Sequence, residues 1–224
     1  MAQKRKFKYG VFDRDGVLID SMAGYGALFE ELSKEVGLNF MLPTAEVLRK
    51  ITSSDWFVSL KLFLPAREHQ LIPLFIEKYD AQMSKVSSSS RMFPAVPPLV
   101  AELKRQGLKL FISSFAPTEY VVSSIARYGI DDQFELLKGM SGKVGGESKD
   151  SHIQEFADYV DQNLETFASQ SFFIGDSPRD MEGAVRNGIL AVGITTTHTE
   201  VDLKAAGADV VIDKHEDLLN IVAP

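Results

Sequence analysis

Two aspartates stand one residue apart in Val11-Phe12-Asp13-Arg14-Asp15-Gly16-Val17-Leu18. They follow an apolar run, Tyr9 to Phe12, that reads as a buried strand, and Gly16 permits a sharp turn where the strand would otherwise continue. A charge at the exit of a buried strand must be paired or metal-bound. A second pair, four residues apart, lies in Gly175-Asp176-Ser177-Pro178-Arg179-Asp180, after the run Ser171–Ile174. Ser113 and Ser114 end the run Leu108–Ile112, and Lys149 precedes a helical pattern over Asp150–Val160. Together these types suit a hard cation and a phosphoryl group. Asp13 and Asp176 offer direct oxygen ligands, and Asp180 a direct or water-mediated one. Lys149 offers a point charge and Ser114 a hydroxyl. An aspartate beside phosphorus can act as a nucleophile, and a carboxylate two residues on can move the proton.

Taken singly, each of these residues has an ordinary reading. Asp-x-Asp is frequent in loops, paired aspartates suit a helix N-terminus, serines suit turns, and a lysine is usually a solvated surface group. Their common position at strand ends is what sets them apart. Ser113 competes with Ser114, and Lys143 with Lys149; Lys149 is favoured because it opens a helix, whereas Lys143 sits among Gly142, Gly145 and Gly146. The histidines His69, His152, His198 and His215 show no metal-ligand spacing and read as structural or surface groups.

The elements that must position these residues are short apolar runs alternating with amphipathic stretches. Besides Tyr9–Phe12 they are Leu108–Ile112, Ser171–Ile174, Leu190–Ile194 and Val210–Ile212. Helical patterns fall at Val96–Gln106, Thr118–Tyr128, Asp150–Val160 and Pro178–Asn187, with Gly107, Gly129 and Gly188 at or just after helix ends. Such alternation predicts an α/β fold, a doubly wound parallel sheet with helices on both faces. Ligands bind such sheets at the carboxyl ends of the strands. From Ala23 to Val86 the rhythm changes to helical spacings such as Leu28, Leu32 and Trp56, Leu60, Phe63, without a clear strand, and Ser87–Ser90 marks a flexible join. The predicted division is a catalytic core of residues 1–20 and 90–224 with a helical cap of residues 21–89. Trp56, Phe57, Leu60 and Phe63 read as cap core.

A chain of 224 residues has room for one α/β domain with an insertion or for two small domains. The absence of cysteine excludes disulfides, thiolate catalysis and cysteine-ligated zinc. A net charge of −7 argues against nonspecific nucleic-acid binding, and Lys4–Lys8 reads as a solvated tail. No apolar run approaches the length of a membrane span, and no signal-peptide core follows the basic start, so a cytoplasmic location is expected.

In order and spacing these segments resemble the haloacid dehalogenase superfamily. The likeness is to its phosphoglycolate-phosphatase-like and β-phosphoglucomutase-like branch, which has a helical cap. Asp13-Arg14-Asp15-Gly16-Val17-Leu18, the serine ending Leu110-Phe111-Ile112-Ser113-Ser114, a lysine, and Gly175-Asp176-Ser177-Pro178-Arg179-Asp180 match the four family motifs. Phe93-Pro94-Ala95-Val96-Pro97 and Ala206-Gly207-Ala208-Asp209 also look familial. The resemblance implies a magnesium-dependent phosphatase acting on a small phosphorylated metabolite through an aspartyl-phosphate, as a monomer or homodimer. Asp13 would be the nucleophile and Asp15 the general acid/base. Asp13, Asp15 (through its backbone carbonyl), Asp176 and Asp180 would serve the metal, and Ser114 and Lys149 the phosphoryl group. Phe115, Ala95 and Asp150 depart from the usual pattern. Asp15 argues against dehalogenation, since a halide leaves without a proton. The alternative is a sugar phosphomutase, whose subgroup tends to carry a histidine where Tyr25 stands here. A catalytically silent binding protein would be marked by loss of Asp13 or Asp15, and both are present.

Overall fold

The computed structural model describes residues 7–38, 56–140 and 149–222. Its strands are β1 (Tyr9–Phe12), β2 (Ile19–Asp20), β3 (Arg91–Met92), β4 (Lys109–Pro117), β5 (Leu136–Met140), β6 (Ser171–Gly175), β7 (Leu190–Ile194) and β8 (Val210–Ile212). Six of them make a parallel sheet in the order β5-β4-β1-β6-β7-β8. The order steps outward in both directions from β1, so β1 is interior and the winding reverses beside it. This is a doubly wound α/β fold.

Side chains alternate across the sheet with the period of a strand. Phe12, Leu110, Ile112, Phe172 and Ile174 enter one apolar cluster, while Val11, Phe111 and Phe173 enter the other. Burial on both faces explains why these strands read as continuous apolar runs rather than alternating ones. Gly107, Gly129 and Gly188 follow the helices Val96–Arg105, Thr118–Ala126 and Pro178–Arg186, at φ of 87°, 67° and 68°. That left-handed region is where glycine ends a helix most easily.

Between β2 and β3 the described chain is helical: α1 (Met22–Val36), α2 (Trp56–Phe63), a 3-10 stretch (Ala66–Leu71), α3 (Ile72–Gln82) and α4 (Ser84–Ser89). Leu28, Leu32 and Leu60 are buried there, and Phe29 meets Phe75 edge-on at 4.8 Å. Phe63, expected in this core, keeps 37% of its surface exposed. The side chains of Trp56 and Phe57 lie outside the described residues. The segment leaves and rejoins the sheet through one antiparallel ribbon, Ile19 opposite Met92 and Asp20 opposite Arg91.

On three points the structure departs from these expectations or adds to them. Ser87–Ser90 is not a flexible join. Ser84–Ser89 is helical, Ser90 Oγ donates to the Val86 carbonyl at 2.7 Å, and the Tyr128 hydroxyl donates to the Ser90 carbonyl at 2.9 Å. Arg127 donates to the Ser87 carbonyl at 2.5 Å, so partners on the sheet side pin the serine run. Second, β4 does not stop at Ile112 but continues to Pro117, with a break in register against β5 between Ser113 and Pro117. Third, β5 was not legible, because Lys138 and Gly139 interrupt its apolar residues and its first three residues are only half-buried. No helix among the described residues is long and apolar enough to cross a membrane.

Candidate active site

Register brings the predicted residues together. Phe12 pairs with Ile112 on one side and Ile174 on the other, so Asp13, Ser113 and Gly175 follow side by side at one level of the sheet. The Asp13 amide extends the ladder by donating to the Ile174 carbonyl at 2.9 Å. Gly16 then turns at φ 73°, and a Cβ there would stand 1.8 Å from Asp176 Oδ2. The turn thus needs glycine twice, for its backbone angle and for the carboxylate that passes against it. Gly175 is equally constrained, since a Cβ on it would lie 2.3 Å from the Asp180 Cβ.

Asp13, Asp176 and Asp180 are all buried, and each offers a carboxylate oxygen within 4.8 Å of the others. Lys149, the residue before the helix Asp150–Tyr159, reaches into this cluster. Its Nζ donates to Asp13 at 2.5 Å and to Asp180 at 2.7 Å. Burial opposes charge on this lysine, but the two aspartates outweigh it and raise its pKa. Lys143, the rival lysine, lies outside the described residues. Asp180 sits in the first turn of the helix Pro178–Arg186, where Ser177 Oγ donates to its second oxygen at 2.6 Å.

Three buried carboxylates crowd together and the lysine bonds only two of them, and the electrostatics show the imbalance. Burial pushes Asp13 up to about 7, against the pull of Lys149 and with added repulsion from Asp180 and Asp15. Burial, then Asp13 and Asp180, hold Asp176 well above the usual carboxylate range. A divalent cation among these oxygens would relieve the repulsion. An all-oxygen, partly anionic donor set is one that a hard cation favours.

Asp15 faces a different set of partners. Its carboxylate is not in the three-aspartate cluster; it pairs with Arg14 and accepts from Ser21 Oγ at 2.5 Å. Arg14 is fully buried, donates through Nε to Ser124 Oγ at 2.8 Å, and lies over the Tyr120 ring at 4.5 Å. Ser114 is buried at the pocket, and its hydroxyl accepts from the Ala116 amide at 3.1 Å. Ser113 instead contacts His152 Nδ1 at 2.8 Å, and His152 Nε2 meets the Gly139 carbonyl at 3.1 Å. The Gly139 carbonyl takes an Nε2–H donor, and burial, with Lys149 nearby, lowers the imidazole pKa.

A cavity of about 90 Å³ opens above the cluster. Asp13, Asp15, Ser114, Asp176 and Asp180 line one end, and Met22, Tyr25 and Met83 from the helical segment line the other. Residues that motif reading missed complete it. His198, read as a structural or surface group, lines the cavity, and its Nδ1 lies 3.0 Å from the Asp176 carbonyl oxygen. Thr196 Oγ1 donates to the Gly16 carbonyl at 2.5 Å, and His215 Nε2 donates to that of Val17 at 2.7 Å. The run Thr195-Thr196-Thr197-His198 directly after β7 was the available signal, since it too begins at a strand's carboxyl end.

Comparison with known proteins agrees with this arrangement. The family model for haloacid dehalogenase-like hydrolases matches residues 11–194. A phosphoglycolate phosphatase from Pectobacterium atrosepticum is 28% identical, covering 99% of this chain and 95% of its own. One from Yersinia pestis is 28% identical over 93% of this chain and 90% of its own. The fold superposes on a haloacid dehalogenase-like family hydrolase from Streptococcus pneumoniae with a TM-score of 0.81. That protein is 24% identical, and the match covers 96% of this chain and 97% of the other. On the strength of the motif order, the sheet topology and the family match, this chain belongs to the haloacid dehalogenase-like hydrolases.

Proposed function

We propose that this chain hydrolyses a small phosphomonoester in a magnesium-dependent reaction that passes through an aspartyl-phosphate on Asp13. The observation that carries the reading is the convergence of Asp13, Asp176, Asp180 and Lys149 beside Ser114 at one end of the cavity. Magnesium held by Asp13, Asp176 and Asp180, with the Asp15 carbonyl, would neutralise phosphoryl oxygens and keep Asp13 ionised.

The chain's own residues do the rest. An Asp13 oxygen attacks phosphorus as the ester P–O bond breaks, and Asp15 gives its proton to the departing oxygen. Asp15 then takes a proton from water, whose oxygen attacks phosphorus and breaks the Asp13–phosphorus bond. Inorganic phosphate leaves and Asp15 is protonated again. Lys149 and Ser114 stabilise the equatorial oxygens, where most of the catalytic benefit of phosphoryl transfer lies. In this reading residues 21–89 act as a cap over a core of 1–20 and 90–224, closing on the substrate and excluding water. The relatives named as phosphoglycolate phosphatases make a small phosphorylated acid the first substrate to try. A cytoplasmic enzyme, monomeric or homodimeric, belongs to the same reading.

The test is phosphate release from a panel of phosphate esters and pyrophosphate, with and without magnesium, with Asp13→Asn as control. Magnesium-dependent release that the variant abolishes supports the reading, and borohydride trapping should mark Asp13. Isomerisation of β-glucose 1-phosphate without net release would replace it with the mutase.

A further inference from the structure

Ser114 sits where β4 and β5 fall out of register. Ser113 pairs with Lys138 and Pro117 with Met140, so four steps along β4 match two along β5. The surplus residues, Ser114 among them, form a bulge, a device that re-aims side chains beside active sites. The strand ladder does not fix the place of a bulged residue, so other contacts must.

His152 supplies them. Its Nδ1 lies 2.8 Å from Ser113 Oγ at the foot of the bulge, and its Nε2 lies 3.1 Å from the Gly139 carbonyl oxygen on β5. The imidazole therefore spans the two strands where their pairing breaks. A carbonyl only accepts, so Nε2 carries a proton, and burial lowers the pKa of the ring; Nδ1 then accepts from the Ser113 hydroxyl. Thr118 Oγ1 donates to the same Gly139 carbonyl at 2.8 Å, which closes the far end of the bulge. A Cβ on Gly139 would stand 2.2 Å from the Ala116 carbonyl oxygen, so the bulge packs directly on the β5 backbone.

The same histidine belongs to the helix Asp150–Tyr159, three residues after Lys149 and so about one turn along the same helix face. Ser113 and His152 are both buried, and the bond between them is shielded from water. One side chain thus joins the two groups assigned above to the phosphoryl oxygens. Ser113 directly precedes Ser114, and His152 anchors the turn that begins at Lys149.

We propose that His152 is a positioning residue for phosphoryl binding: it closes the bulge that carries Ser114 and holds the helix that delivers Lys149, so that both groups meet one phosphoryl group. This rests on the phosphatase reading above and deepens it.

The experiment measures the dissociation constant of inorganic phosphate by calorimetry with magnesium present, and kcat and KM for the ester that the panel favours. His152→Leu keeps the bulk and loses both bonds. It should weaken phosphate binding and raise KM by about 10-fold or more. His152→Gln keeps a donor for Gly139 and should lose only about 3-fold. Ser113→Ala should lose about 3- to 5-fold, which keeps the test alive if the His152 variants fold poorly. On a Lys149→Gln or a Ser114→Ala background, the loss from His152→Leu should shrink to about 3-fold, because the group it positions is gone. Dissociation constants and KM do not depend on the fraction of protein folded, so a merely structural role would lower Tm and leave them unchanged. That result, or a loss of full size on either background, would overturn the positioning role. A wild type that binds phosphate and releases it from esters keeps the phosphatase reading whatever the variants do. One that does neither removes both.

Discussion

Lys149 and Lys85 hold carboxylates at nearly the same distance, 2.5 Å to Asp13 and 2.6 Å to Glu31. In the sheet-edge pair the side chains are 5% and 10% exposed, and in the helical-segment pair 51% and 54%. The segment carries others of the second kind, Lys34–Glu30 along α1 and Lys78–Glu35 between α1 and α3. Water screens such pairs, and they contribute little. At the sheet edge the charges have given up hydration, so removing either partner leaves an uncompensated buried group. The same chemical pairing is therefore dispensable in one region and decisive in the other. Strand register, not a gain in core stability, is what brings the buried set together.

Substitutions can break that contrast at several levels. Asp13→Asn should lower kcat by at least about 10³-fold while leaving the protein folded, measured by phosphate release and circular dichroism. Near-normal turnover would remove the covalent route. Arg14→Met should cost about 3 kcal/mol in urea unfolding, because it breaks the pair with Asp15 and leaves Ser124 without its donor. Stability unchanged by that substitution would mean the buried cation is not needed where it stands.

Acidity gives a third test. Asp13 titrates at about 7 in the folded chain and near 3.8 when unfolded, so between those values the folded state binds more protons. Without a divalent cation, stability should therefore fall as pH rises from about 4 to 7, by up to about 1.4 kcal/mol per pH unit for one such group. Magnesium at a hundred times its dissociation constant should restore about 2.7 kcal/mol, seen as a rise in Tm that is largest at neutral pH. A Tm indifferent to magnesium at pH 7 would contradict a cation among the three aspartates. The smallest effect belongs to the surface: Lys85→Ala should leave Tm and kcat within error, and a clear loss of either would erase the distinction between the regions.

Much of this was legible in the chain. Two-sided burial made β1, β6, β7 and β8 readable as apolar runs, and the carboxylates after β1 and β6 stood out because charge at such exits is rare. What escaped depended on partners distant in sequence. The end of β4 and the whole of β5 depend on their pairing with each other, and Ser87–Ser90 is ordered by Arg127 and Tyr128. The pairing of Arg14 with Asp15 could be guessed from adjacency, but its burial against Ser124 and Tyr120 could not. His198 was missed for the same reason, because only the fold carries the loop after β7 over Asp176.

The central place of β1 has a consequence for how the molecule comes to exist. Tyr9 pairs with Lys109 and with Ser171, both made long after it. During synthesis this apolar strand waits through the whole helical segment for its first neighbour, and through β4 and β5 for its second. Contacts so distant in sequence slow folding and leave a sticky edge open to other chains. The strand that carries Asp13 is thus the first of the sheet to be synthesised, and it stays open on one side until β6 follows, so nascent chains ending before β6 expose an unpaired apolar strand.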